Sequence, residues 1–336
     1  MMSFLSGWTS GVSGPATRAI VRRRRGGVAL ITSALIGGAL ATFALALTGW
    51  SRPVASQQPR GERNLAYVLG GTPEQVLDLY TPAEEGFATV LFIHGGSLVE
   101  GYDRMTPEYA RVCEPFVEAG VGCATMDYRV APAHRWPAMP QDVASAVRWL
   151  KDNLASRGGN PERLFLFGHS SGCQLAAVVG ANATYLDGVG LTPADVAGLV
   201  PMGCILAATV PILRRAHAAG FGLDAVRARW NGRPDDRYPS FEHWLDSDPS
   251  RFVGEHVPPA LVVVARAERF HPPILEQASY FVGLMYDAKR AADIVIVPGG
   301  HMSSIADIVH TGDPTFAAIL AFIEDPGAAG AGGRGW

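Results

Sequence analysis

Apolar positions along this chain come in short continuous runs separated by stretches with helical spacing. Thr89-Val90-Leu91-Phe92-Ile93, Leu164-Phe165-Leu166-Phe167, Leu261-Val262-Val263-Val264 and Ile294-Val295-Ile296-Val297 are unbroken, and residues 121–127 and 196–204 are of the same kind. Unbroken apolar runs, rather than strict alternation, are expected of strands covered on both faces. The spacing predicts helices over 107–119, 140–154, 275–288 and 316–324, with Val143, Ala146, Val147 and Leu150 on one face of the second. Two β-prone stretches, 64–69 and 75–80, are joined by Gly70-Gly71-Thr72-Pro73, a turn signal. Strand and helix alternating in this way predict an α/β fold, a mostly parallel central sheet with helices on both faces.

Three segments break the rhythm. Residues 206–251 are rich in arginine and aromatic residues and read as a cap insertion over the C-terminal edge of the sheet. Phe221, Trp230, Tyr238, Phe241 and Trp244 could wall a pocket there, or hold the insertion onto the sheet. Residues 326–336 are Gly/Ala-rich and predict a disordered tail. Residues 26–50 contain no charged residue and follow Arg22-Arg23-Arg24-Arg25. As a helix they would reach about 37 Å, enough to cross a hydrocarbon core of about 30 Å. The arginine cluster before the run predicts a cytoplasmic N-terminus, residues 1–25, and a single-pass anchor that sends the rest of the chain across the membrane. A polar linker, 51–63, then leads into a domain over 64–325. Val54-Ala55-Ser56 leaves open a cleaved signal peptide with a secreted or periplasmic product.

Composition adds less. With 336 residues, 48% hydrophobic and 18% charged, the chain can bury a full core, and a formal charge of −3 gives no reason to expect a nucleic-acid partner. Cys113, Cys123, Cys173 and Cys204 lie in apolar segments, where a free thiol behaves as a small hydrophobe; export would permit disulfides, but the spacing demands none.

The chemistry gathers around Gly168-His169-Ser170-Ser171-Gly172, set between a strand and a helix. G-x-S-x-G in that setting is the nucleophile elbow of an α/β-hydrolase. Ser170 must sit in a strained turn for its hydroxyl to project, and glycines at 168 and 172 relieve the close approach of strand and helix. A serine needs a base, and in this fold the chain order is nucleophile, acid, histidine. His301 follows the last strand and is the candidate base; His271, near the acid strand, is its rival. Glu268 follows the run 261–264 and is the candidate acid, unless it only pairs with Arg266 or Arg269 at the surface. Oxyanion donors are expected from the backbone of Ser171 and from Gly95 and Gly96, in the loop after residues 89–93.

Over residues 64–325 the chain resembles the esterase/lipase branch of the α/β-hydrolase superfamily, shared by hormone-sensitive-lipase-like esterases and arylformamidase-like enzymes. The resemblance rests on Val76-Leu77-Asp78-Leu79-Tyr80-Thr81-Pro82, on Asp127-Tyr128-Arg129-Val130-Ala131-Pro132 with Trp136-Pro137-Ala138 and Asp142-Val143, on 168–172 and on His301. It departs where the family often has His-Gly-Gly-Gly-Trp, since Ser97 and Leu98 stand here, and where the acid is usually aspartate preceded by glycine, since Glu268 and Ala265 stand here. The resemblance implies a serine carboxylic-ester hydrolase working through an acyl-enzyme, with no cofactor and no metal, on a small-molecule ester of short to medium acyl length. An arylformamidase-like amide hydrolase with the same triad and a catalytically silent protein of this fold are the alternatives.

Overall fold

The computed structural model describes residues 60–231, 235–268, 273–310 and 312–330. Its strands are β1 (Arg60–Ala66), β2 (Val76–Thr81), β3 (Phe87–Ile93), β4 (Gly122–Met126), β5 (Gly159–His169), β6 (Gly198–Met202), β7 (Ala260–Ala265) and β8 (Ala292–Val297). They form one sheet in the order β1-β2-β4-β3-β5-β6-β7-β8. β2 is antiparallel to both of its neighbours, and every pairing from β4 to β8 is parallel. The chain leaves β3 toward β4 and leaves β5 toward β6, so the winding reverses between β3 and β5. The crevice outside the carboxyl ends of such a pair is where open α/β sheets bind ligands.

The helices are α1 (Glu114–Glu118), α2 (Ala138–Asn153), α3 (Ser171–Ala181), α4 (Ala183–Asp187), α5 (Thr209–Ala218), α6 (Leu223–Asn231), α7 (Phe241–Asp246), α8 (Ile274–Asp287), α9 (Ser303–Ala306) and α10 (Pro314–Glu324). Alternate residues of the central strands feed two separate cores. Leu91, Leu166, Val147, Val178 and Phe281 pack on the α2, α3 and α8 side, and Phe92, Phe116, Phe167 and Phe322 on the α1 and α10 side. Both faces are covered, which is why the strands read as unbroken apolar runs.

Some expectations need correction. Only α1 forms within the predicted helix 107–119; the preceding residues make isolated turns. Pro115 has no N–H to continue a helix begun upstream, but it fits a first-turn position, and α1 starts there. The first strand begins at Arg60, inside the predicted linker, because its partner is β2 and its own polarity gives no signal. The cysteines, whose pairing the spacing left open, form two disulfides, Cys113–Cys123 and Cys173–Cys204. Pro326–Ala328, within the predicted disordered tail, form a short 3-10 turn, and residues 331–336 lie outside the described residues. Among the described residues no helix is long and apolar enough to cross a membrane; the expected anchor, 26–50, lies outside them.

The cap insertion comprises α5, α6 and α7. Of the five rings expected there, Phe241 is fully buried and packs against Trp230 and Trp244, and Tyr238 packs on Trp136 of the sheet domain. These rings hold the insertion together and onto the sheet. Phe221 stands apart, 58% exposed. A cavity of about 350 Å³ between cap and sheet domain is lined by Ala207, Val210, Arg214, Arg215, Gln277 and Tyr280, so none of the five rings is among these walls.

Candidate active site

The elbow is built as its residue types require. Ser170 has φ 55° and ψ −124°, a conformation that strains any residue but glycine. A Cβ on Gly168 would stand 2.2 Å from the Gly172 carbonyl oxygen, and one on Gly172 would stand 2.1 Å from the carbonyl oxygen of Ile93. Both glycines therefore answer to backbone, which cannot move aside. Ser170 is held from behind by its own N–H, which donates to the Met202 carbonyl at 3.0 Å. The Ser171 amide opens α3, where no carbonyl of the helix itself can receive it.

Ser170, His301 and Glu268 come together. His301 Nε2 lies 3.0 Å from Ser170 Oγ, and His301 Nδ1 lies 2.5 Å from Glu268 Oε1. A carboxylate can only accept, so the proton sits on Nδ1 and the Nε2 lone pair faces the serine hydroxyl. The Glu268 side chain is almost wholly buried while that of His301 is partly open, which suits a fixed acid beneath a base that must reach substrate. The loops carrying them are tied by two backbone bonds, Arg266 N–H to the Val297 carbonyl at 2.8 Å and Ala267 N–H to the Gly299 carbonyl at 2.9 Å. His271, the rival base, lies outside the described residues.

Gly95 and Gly96 run alongside the nucleophile. A Cβ on Gly95 would stand 2.8 Å from Ser170 Cβ, and Gly96 has φ 123°, so the backbone at both positions must stay bare. Ser97 and Leu98, where the family pattern departs, continue the loop at φ 60° and 63°. Leu98 is buried, and its carbonyl accepts the Ala131 N–H at 3.0 Å, which holds the strained pair in place. His94 braces the same loop: its Nδ1 donates to the Gly95 carbonyl at 2.6 Å, and Tyr128 stacks on the ring and donates to the His94 carbonyl at 2.8 Å. Burial pushes the His94 pKa down to about 4, so the ring is neutral.

Sequence reasoning missed several residues that shape this site. Gly203, at φ 64°, leaves room for the Glu268–His301 pair: a Cβ there would stand 3.0 Å from Glu268 Oε1. The next residue, Cys204, is bonded to Cys173 in the first turn of α3, a covalent tie between the nucleophile's helix and the acid side. Tyr109 and His169 lie buried beneath the site. A glycine at the end of an apolar run and the even cysteine count were the only signals in the sequence; the contacts join residues far apart in the chain. The motif Asp127–Pro132 proves to be a support, with Arg129 paired to buried Asp142 at 2.7 Å.

An eight-stranded sheet of this order, with a strained serine elbow between β5 and α3, defines an α/β-hydrolase. The comparisons agree. The family model BD-FAE matches residues 77–191. Esterase LipC of Mycobacterium tuberculosis is 29% identical over 339 residues, covering 95% of this chain and 81% of LipC. The ethyl acetate hydrolase of Pseudomonas putida is 26% identical over 235 residues, covering 66% of this chain and 68% of that protein. The solved structure of a hyperthermophilic esterase from Pyrobaculum calidifontis superposes with a TM-score of 0.60 at 24% identity, over 79% of this chain and 85% of that one, and shows the shared fold. These similarities support an esterase/lipase-like α/β-hydrolase and, in chemistry, a carboxylesterase-type hydrolase.

Proposed function

We propose that the protein hydrolyses carboxylic esters through an acyl-enzyme on Ser170, with His301 as general base and Glu268 as its orienting acid. The observation that carries this reading is the line of contacts from Ser170 Oγ to His301 Nε2 at 3.0 Å and from His301 Nδ1 to Glu268 Oε1 at 2.5 Å. As Ser170 Oγ attacks the ester carbonyl carbon, its proton passes to His301 Nε2, and buried Glu268 stabilises the imidazolium without taking the proton. The backbone N–H groups of Gly96 and Ser171, with Gly95 shaping the loop, receive the negative charge that develops on the carbonyl oxygen. Collapse breaks the bond to the alkoxy oxygen, which leaves with the proton from Nε2. A water then repeats the sequence on the acyl-serine, releasing the acid and restoring the serine.

Short to medium acyl esters fit this reading best. The name of the ethyl acetate hydrolase gives a small ester as that relative's substrate, and the cap rings are spent on packing rather than on a wide lipid groove. The proposal also places the hydrolase domain outside the cytoplasm, behind a single-pass anchor over 26–50. The paired cysteines support that placement, because disulfides persist in oxidising compartments. Alkaline phosphatase fused after residue 60 should be active; an inactive fusion with a fluorescent counterpart would put the domain in the cytoplasm.

Reaction with a fluorophosphonate probe tests the nucleophile. The wild-type chain should label and Ser170→Ala should not; equal labelling would reject Ser170. Turnover of an aryl ester beside an N-formyl arylamine then decides between ester and amide hydrolysis, and the ester should be the faster substrate.

A further inference from the structure

Directly beneath the proposed triad, two buried residues that it does not use join three of the loops that form it. Tyr109 Oη lies 3.0 Å from His169 Nδ1, and His169 Nε2 lies 2.9 Å from the carbonyl oxygen of His301. The chemistry of the partners fixes the protons. A carbonyl can only accept, so His169 carries its proton on Nε2; the bare Nδ1 then receives the Tyr109 hydroxyl proton. Burial, and after it the neighbouring His301, push the His169 pKa down to about 3, so the ring stays neutral and keeps this tautomer. On its other side Tyr109 Oη meets the oxyanion loop, where a Cβ on Gly95 would come within 2.6 Å of it. The His169 and His301 rings stand 4.7 Å apart between centroids.

We propose that Tyr109 and His169 are positioning residues that fix the backbone of His301, and so the imidazole, against Ser170 and the oxyanion loop. This rests on the reading of Ser170 and His301 as nucleophile and base. His169 is the last residue of β5 and adjoins Ser170 in the chain, so any movement of the elbow is passed to the His301 carbonyl through one hydrogen bond. The same ring takes its orientation from Tyr109, which in turn packs against Gly95. Ser304 Oγ donates a second bond to the His301 carbonyl at 3.1 Å, so the loss of His169 loosens this anchor without removing it.

The groups facing the pair are few. Phe92, His94 and Gly95 surround Tyr109, and His301, Tyr109 and the elbow backbone surround His169. The carboxylate of Glu108, next to Tyr109 in the chain, also acts on the phenol and helps to keep it protonated. Through this chain of donors the base is aligned by geometry; no proton needs to move along it during turnover.

The test uses the full-length protein and an aryl ester of short acyl length. His169→Leu removes the donor to His301 and should lower kcat by about tenfold to a hundredfold, with KM within about twofold, as expected for misaligned reacting groups. His169→Gln, whose amide N–H can reach the same carbonyl, should recover much of the loss. Tyr109→Phe, nearly the same shape, should lower kcat by roughly severalfold with KM unchanged. The low-field proton signal of His301 Nδ1–H should move upfield in His169→Leu, a change that weakened packing alone would not give. A folded His169→Leu with wild-type kcat, a loss confined to KM, or a Gln variant no better than Leu would overturn the proposal. Should His169→Leu fail to fold, a Tyr109→Phe variant with wild-type kcat would overturn it instead. Ser170→Ala is assayed in parallel: retained activity there would remove the nucleophile reading and this proposal with it, whereas a dead Ser170→Ala beside an unaffected His169→Leu would overturn the positioning role alone.

Discussion

The loops that carry Ser170, Glu268 and His301 and the helical pair α5–α6 belong to the same hydrolase domain, yet they are built in opposite ways. The loops rest on buried strand ends, are shaped by glycines that face backbone, and are cross-linked by Cys173–Cys204 and by the hydrogen bonds of His169 to Tyr109 and to the His301 carbonyl. The helical pair puts Ile212, Phe221 and Leu223 into solvent. The contrast separates two tasks. Reacting groups must be held within fractions of an ångström, and only backbone wedged between strands does that. An exposed helical pair needs no such constraint and can vary in sequence without disturbing the sheet.

Each part of that contrast can be broken by experiment. The largest effect belongs to Gly172→Ala. Its Cβ would press on the Ile93 and His94 carbonyls, so the elbow cannot form, and both soluble yield and fluorophosphonate labelling should be lost. A folded, labelled Gly172→Ala would show that the elbow is more pliable than its contacts imply. Next comes Glu268→Gln, expected to lower kcat by up to about 10⁴-fold because an amide can favour the wrong histidine tautomer. Glu268→Asp should retain part of the activity. A nearly silent Glu268→Gln would move the acid elsewhere.

The two regions separate again in stability. Phe241→Ala, within the cap's own core, should cost about 3–5 kcal/mol in a denaturant titration. Phe221→Ala, at an exposed ring, should change stability by no more than about 0.5 kcal/mol. Equal costs at both positions would erase the distinction between packed and open parts of the cap.

Acid should loosen the region beneath the site first. His94 and His169 titrate near pKa 4 and 3 when folded, against 6.5 when exposed. Between those values the unfolded chain binds protons that the folded chain does not, so stability is full above about pH 6.5 and falls as pH drops toward 4 and 3. Melting temperatures from pH 7 to 4 should show this decline, and His169→Gln should flatten it. An unchanged slope would mean that His169 is not buried neutral.

Much of this was legible in the sequence for physical reasons. Strands covered on both faces leave unbroken apolar runs, so β3, β5 and β7 were readable from the order of apolar residues alone. The elbow was readable because its glycines are dictated by contacts with neighbouring backbone in a fixed strand–turn–helix setting. β1 was not, since its polar residues are held by pairing with β2 rather than by burial. The disulfides depend on which segments the fold brings together, as with Cys173 and Cys204, 31 residues apart. In the sequence Tyr109 reads as one position in a longer helix, and His169 as one residue of the elbow beside the nucleophile. Their roles exist only once β3, β5 and the His301 loop meet.

The claim on which the account turns is that Ser170 Oγ carries the acyl group during turnover. Rapid acid quenching of a short p-nitrophenyl ester reaction, followed by mass spectrometry of the peptide spanning 168–172, measures it directly. The account predicts that this peptide gains the mass of the acyl group on Ser170, and that Ser170→Ala shows neither the adduct nor turnover. An acyl adduct on a different residue, or turnover by Ser170→Ala within about tenfold of wild type, would contradict it.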